Sequence, residues 1–135
     1  MNARYVASVQ AAFYVGTGIW PLLSRRSFER VTGPKTDFWL AQTVGLTVAA
    51  IGIGLAHALS RRQGVPTELR TVAATSAAGL ALVDVAFVAR GRISKIYLAD
   101  AAAEVALVAG WLLARDQPDA GLPDTPPGDI RVRLC

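Results

Sequence analysis

Three carboxylic acids stand out because of where they lie: Asp84, Asp100 and Glu104 sit in otherwise apolar runs. Asp100 and Glu104 are four residues apart in YLADAAAEVALVAGW, a spacing that puts both on one face of a helix. A carboxylate near the centre of a bilayer costs about 2.5–3.5 kcal/mol on insertion scales, so it faces protein or water and not lipid. Such groups can anchor a ligand, carry a proton or cation, or hold helices together through polar contacts. Three carboxylates within reach of one another repel when all are ionised, so a proton or a cation must intervene.

The elements that position these acids are apolar and long. Of the 135 residues, 53% are hydrophobic and 18% charged, with a mean hydropathy of +0.37. The charges collect between four apolar runs, which predicts an all-α protein of four membrane spans at about 5–23, 38–59, 68–89 and 94–114, each near the twenty residues a bilayer core requires. Connections this short predict an antiparallel up-down four-helix bundle over residues 1–115. The first run follows Arg4 but lacks a small-x-small cleavage site, so it reads as a retained helix. Residues 116–135, holding four of the seven prolines and four aspartates, read as a flexible tail.

Local signals add detail. Residues 25–32, with Phe28 and Val31 among Arg25, Arg26, Glu29 and Arg30, read as a short amphipathic helix at the membrane surface, ended by Gly33-Pro34. Trp20 and Trp39 bracket this segment at headgroup level. Thr36 or Asp37 is expected to cap the second span, and Thr67 the third. Small residues offer close-packing faces: Ala7, Ala11, Ala12 and Gly16 in the first span; Gly45, Ala49, Gly52, Gly54 and Ala56 in the second; Ala99, Ala102, Ala106 and Gly110 in the fourth. In the third span, Ala73, Ala77, Leu80, Ala81 and Val88 share the Asp84 side.

Depth brings the acids together. At about 1.5 Å per residue, Asp84 and Asp100 each lie about 9 Å from the turn that joins their helices, with Glu104 one turn deeper. Gln42 lies at a similar depth below the first loop, on the same side. Tyr97, Tyr14, Thr43 and Thr47 are candidates to line such a pocket, with Trp39 and Tyr97 as aromatic walls and Arg26, Arg30 and Lys35 as a basic rim. Asp84 could instead close on Arg26 or Arg92 as a structural pair. Gln10 and His57 fall toward the opposite face. Arg4, Arg61, Arg62, Arg70, Arg115, Arg131 and Arg133 lie on the terminal side, against Arg25, Arg26, Arg30, Lys35, Arg90, Arg92 and Lys95 on the other. Without Arg131 and Arg133 the balance is five against seven, a lean toward cytoplasmic first and third loops.

Other chemistry finds little support. The net charge of +4 comes from cations that flank apolar runs, which suits lipid head groups and not nucleic acid. His57 is the single histidine, and no Glu-x-x-His pattern occurs, so no metal centre is expected. No Gly-x-Ser-x-Gly is present. The Gly16-Thr17-Gly18 and Gly52-Ile53-Gly54 patterns lie inside spans as packing glycines. Cys135, the lone cysteine, ends IRVRLC, which lacks a prenylation order. No cofactor is implied.

The runs TGIWPLLSRRSFERVTGPKTDFWLAQTVG and DVAFVARGRISKIYLADAAAEVALVAGW resemble small four-span membrane proteins of bacteria, similar in build to the DoxX-like group. The resemblance covers residues 5–111. It implies the four-span fold and a bacterial inner membrane. DoxX-like proteins have been linked to redox and stress functions, but no reaction transfers, and this chain has no cysteine inside a span.

The expectation is therefore a multi-pass bacterial inner-membrane protein with both termini on one side. Its polar pocket, with Asp84, Asp100, Glu104 and Gln42 as polar anchors, would bind a small molecule or lipid head group. The alternatives are an accessory subunit that packs with itself or a partner through its Gly/Ala faces, and a proton-coupled transporter or membrane enzyme.

Overall fold

The computed structural model describes residues 1–61 and 63–114. The 116–135 tail, Cys135 and the arginines at 62, 115, 131 and 133 lie outside the described residues. Five helices follow in order: α1 (Ala3–Leu23), α2 (Arg25–Thr32), α3 (Phe38–Ser60), α4 (Thr67–Ala89) and α5 (Tyr97–Leu113). No extended strand occurs among the described residues.

Local chemistry sets most helix ends. The Asn2 side chain accepts the Arg4 amide at 2.9 Å and caps α1. Ser24 closes α1 through its amide to the Trp20 carbonyl and opens α2 by accepting the Ser27 amide on its hydroxyl at 3.3 Å. Gly33 ends α2 at a φ of +85°, a conformation that residues with a Cβ rarely adopt.

Two caps differ from expectation. Asp37 occupies the α3 cap position without a side-chain hydrogen bond, and Pro66, not Thr67, holds the α4 cap position. Thr67 is the first helical residue, and proline suits a helix start because it has no amide to leave unpaired. α5 begins at Tyr97, not 94, because Ser94, Lys95 and Ile96 form a tighter turn of three-residue hydrogen bonds, including Tyr97 N–H to the Ser94 carbonyl at 3.1 Å.

α1, α3 and α4, at 21, 23 and 23 residues, are long and apolar enough to cross a membrane. Leu23, Leu82 and Leu112 are 80%, 71% and 81% exposed. Large apolar side chains facing outward mark a membrane-embedded protein, because water would not tolerate so much apolar surface. α5 is shorter: its 17 residues span about 26 Å against a bilayer core of about 30 Å.

The tightest packing is between α1 and α3. Gly18 meets Gly45, and a Cβ added at Gly18 would stand 2.7 Å from the backbone nitrogen of Ala49. Gly52 faces Ala11 and Tyr14. The pairings run in opposite directions along the two helices, so they are antiparallel. Gly18, and not Gly16, is the α1 contact glycine; a Cβ at Gly16 would meet nothing within 4 Å. In α4, Ala73, Ala77, Ala81 and Asp84 form the buried stripe that the helical period predicts. In α5, Ala101, Glu104, Leu107, Gly110 and Trp111 face inward, while Ala99, Ala102 and Ala106 face outward. That outward set corrects three of the four small residues expected at a packing face.

α1 with α3, and α4 with α5, thus make two close hairpins, and α1–α5 and α3–α4 contacts join them. Apolar grooves run along both seams. One of about 330 Å³ lies between α3 and α4, lined by Thr43, Thr47, Ser76 and Gly79 among others; one of about 360 Å³ lies between α1 and α5, beside Val6, Phe13 and Gly110.

The close α1–α3 seam has a measurable consequence. Gly18→Ala and Gly45→Ala each push a methyl into backbone and should lower unfolding free energy by about 1–3 kcal/mol. Gly16→Ala, whose added methyl meets nothing within 4 Å, should not lower it, as read by reversible unfolding in detergent or bicelles.

Candidate functional site

The buried polar groups form a column through the middle of the helices. At its centre, the Tyr14 hydroxyl of α1 donates to Glu104 Oε2 of α5 at 3.0 Å. Both side chains are almost completely enclosed: Tyr14 is 0% and Glu104 1% exposed. Toward the α2 side, Asp84 of α4 and Asp100 of α5 bring their carboxyl groups within hydrogen-bonding reach. Two ionised carboxylates are both acceptors, so a bond between them exists only when a proton or another donor lies there. Asp84 is 7% exposed, and its Oδ2 is buried with no hydrogen-bond partner among the described residues. Asp100 is half-buried.

Toward the terminal side the column closes on α1. Gln10 donates from Nε2 to the Ala73 carbonyl of α4 at 2.9 Å and accepts the Trp111 indole N–H on Oε1 at 2.6 Å. Gln10 is 0% exposed. Arg70 lies beyond it, with its guanidinium 5.8 Å from the Trp111 ring centroid and a hydrogen bond to the Ala114 carbonyl.

The surface above the acids is built by α2. Phe28 packs edge-on against both Trp20 and Phe38, at centroid distances of 5.5 and 6.0 Å, and folds α2 back over the ends of α1 and α3. Val31, the other apolar residue of this helix, is exposed. Glu29 pairs with Arg25 at 3.2 Å and accepts the Lys35 amide at 3.0 Å. The Arg25 side chain, and then the Lys35 amide, hold the Glu29 carboxyl below its ordinary value of 4.5. Lys35 donates from Nζ to the Thr32 carbonyl at 3.0 Å and stands 5.0 Å from the Tyr97 ring centroid. Tyr97 precedes Asp100 by three residues, on the same α5 face.

Of the sequence candidates, Asp84, Asp100 and Glu104 come together, and Lys35 with Tyr97 stands over the same end. Gln42 is half-buried on α3. Trp39 is 62% exposed, and Arg26 and Arg30 are exposed on α2, so these three point away from the acids. Neither Arg26 nor Arg92 pairs with Asp84 among the described residues. Thr43 and Thr47 bond back to the Trp39 and Thr43 carbonyls of their own helix and line the outer α3–α4 groove. His57 lies beside Arg61 at the other end.

Gln10, expected apart from the site, is instead buried in the same column. A signal for it existed: Trp111 lies as many residues from Asp100 as Ala73 does from Asp84. With the two aspartates level, the indole and the Ala73 carbonyl are level too, and Gln10 bridges them.

No family model matches the chain, and no curated protein or solved structure matches it either. Among the described residues, no group of three or more His, Cys, Asp and Glu side chains is arranged to hold a metal ion.

Two outcomes follow from these contacts. Gln10→Leu strands the indole N–H and removes the second bond to the Ala73 carbonyl, and should cost about 0.6–2 kcal/mol of stability in an unfolding assay, within the span measured for hydrogen bonds between membrane helices and buried unpaired groups. Glu29 is depressed when folded, so its contribution is complete above its unfolded value of 4.5 and is lost as pH falls through its lower folded value. The Lys35 amide resonance should shift with a midpoint below 4.5, and Glu29→Gln should abolish that shift.

Proposed function

We propose that the chain is a four-span integral membrane protein whose activity resides in the carboxyl cluster Asp84, Asp100 and Glu104. The cluster takes a small ligand that brings hydrogen-bond donors or positive charge, from the face carrying α2 and the α4–α5 turn. The observation that carries this reading is Asp84 Oδ2: a buried acceptor with no partner among the described residues, beside a second acceptor on Asp100. A buried polar atom left unpaired costs about 1–3 kcal/mol, which a donor at this point would offset.

α5 serves as the fourth span. The Ser94–Ile96 turn lengthens it at one end, and a short span is accommodated by local thinning of the bilayer. Kinship with the DoxX-like group, a bacterial inner membrane, and both termini on one side belong to the same proposal and rest on the sequence runs and the even number of spans.

A second reading, an accessory subunit that packs with itself or a partner, is favoured by the outward small residues: Ala99, Ala102 and Ala106 on α5, and Gly16 and Gly79, beside which a Cβ would meet nothing within 4 Å.

Thermal melts of the purified protein with ammonium, ethanolamine and choline test the site. A ligand at a hundred times its dissociation constant stabilises by about 2.7 kcal/mol. The proposal expects at least one to raise the midpoint, and Asp84→Asn, Asp100→Asn and Glu104→Gln to fold and lose that rise. Variants that only melt earlier, with no ligand-dependent rise in the wild type, would leave the polar groups a structural network.

A further inference from the structure

We propose that the Asp84–Asp100–Glu104 cluster is a proton well open to one membrane face and sealed from the other by the Gln10–Trp111–Ala73 junction. This names the ligand of the cluster, and so rests on the reading that the cluster is a site.

Only some of the buried polar groups can pass a proton. A carboxyl or phenol oxygen can both accept and donate, so Asp84, Asp100, Glu104 and Tyr14 form a series that can relay one. Asp100 and Glu104 are one helical turn apart, and Glu104 is bonded to Tyr14. A proton from solution binds a carboxylate oxygen of Asp100, is shared with Asp84, and can move on to Glu104; it leaves by the same route.

Below Tyr14 the chemistry changes. Gln10 donates from its amide nitrogen to the Ala73 carbonyl, accepts the Trp111 indole on its oxygen, and also reaches the Tyr14 hydroxyl. An indole N–H donates and cannot accept, and an amide held at both ends cannot turn over. The junction is also enclosed: Gln10 is 0% and Trp111 5% exposed, and Ala7, Ala11 and Ala73 are buried in the same cluster. A neutral amide and an indole N–H offer no group that readily takes up and releases a proton, so in this proposal the relay ends at Tyr14.

The two faces are therefore unequal. Asp100, half-buried, lies close to the α2 side, below Lys35 and Tyr97. The titratable and charged groups facing the cluster are Tyr14 from α1, Asp84 from α4, Tyr97, Asp100 and Glu104 from α5, and Lys35 above. The fully buried residues of α3, namely Phe38, Gly45, Ala49, Gly52, Leu55 and Ala58, include no titratable group, and Gln42 is half-buried.

The test is infrared titration of the carboxyl C=O band in vesicles holding the full-length protein in one orientation, scored with an impermeant thiol reagent on a Ser94→Cys, Cys135→Ser background. The pH is stepped separately outside and inside, and a lumenal dye reports leak. The expected result is a band that follows pH on the α2 side only, is reduced in Asp84→Asn, and appears without proton flux above that of protein-free vesicles. Trp111→Ala opens the junction, so the band should then follow both faces. A wild-type band that follows both faces or only the terminal face, or a steady leak through the wild type, overturns the one-sided well and leaves the cluster a site. A band that follows neither face overturns both. The wild-type measurement decides the proposal even if Trp111→Ala fails to fold.

Discussion

α1 holds the molecule together through hydrogen bonds that it makes across the core. Gln10 reaches α4, Tyr14 reaches α5, and Trp111 of α5 reaches back to Gln10. In an apolar surround there is no water to take over any of these partners, so each side chain requires the other helix to be where it is. Apolar packing between helices is poorly directional in lipid, because lipid tails are as apolar as leucine. The polar contacts thus set the register between the two hairpins.

Within the α1–α3 hairpin a different force dominates. Gly18, Gly45 and Gly52 let backbones approach until only van der Waals contact limits them. Glycine in a helix interior would weaken a helix in water by about 1 kcal/mol relative to alanine. In the membrane reading the helix is secured by its own hydrogen bonds, and the close approach is what the glycines contribute. α4 reaches its neighbours with alanines instead, and this leaves room at Asp84 for a carboxyl group on the same stripe.

The α2 segment links this interior to the surface. The Trp20–Phe28–Phe38 stack pins α2 across the ends of α1 and α3. Glu29 then gathers the Arg25 side chain and the Lys35 backbone, and Lys35 lies against Tyr97 at the start of α5. A chain of contacts thus runs from an eight-residue surface helix to the helix that carries Asp100 and Glu104. Lys35 thus stands at the Tyr97 ring, three residues before Asp100 on the same helix.

What the sequence determined by itself was periodic and local: the helical class, the long helices to within a few residues, the α2 segment with its Gly33 stop, and the shared face and depth of Asp84, Asp100 and Glu104. These follow from a 3.6-residue repeat and a fixed rise, which need only the chain's own spacing. Which partner each group takes was decided by tertiary structure alone. Gly16 and Gly18 are the same residue type two positions apart, and only helix rotation separates the contact from the open surface. Trp39 and Trp111 are both tryptophans near span ends, and only the position of Gln10 on a different helix makes one a buried donor and leaves the other outside. Rotation about a helix axis and the choice of a neighbour are set by packing between segments, and no spacing within one segment encodes them.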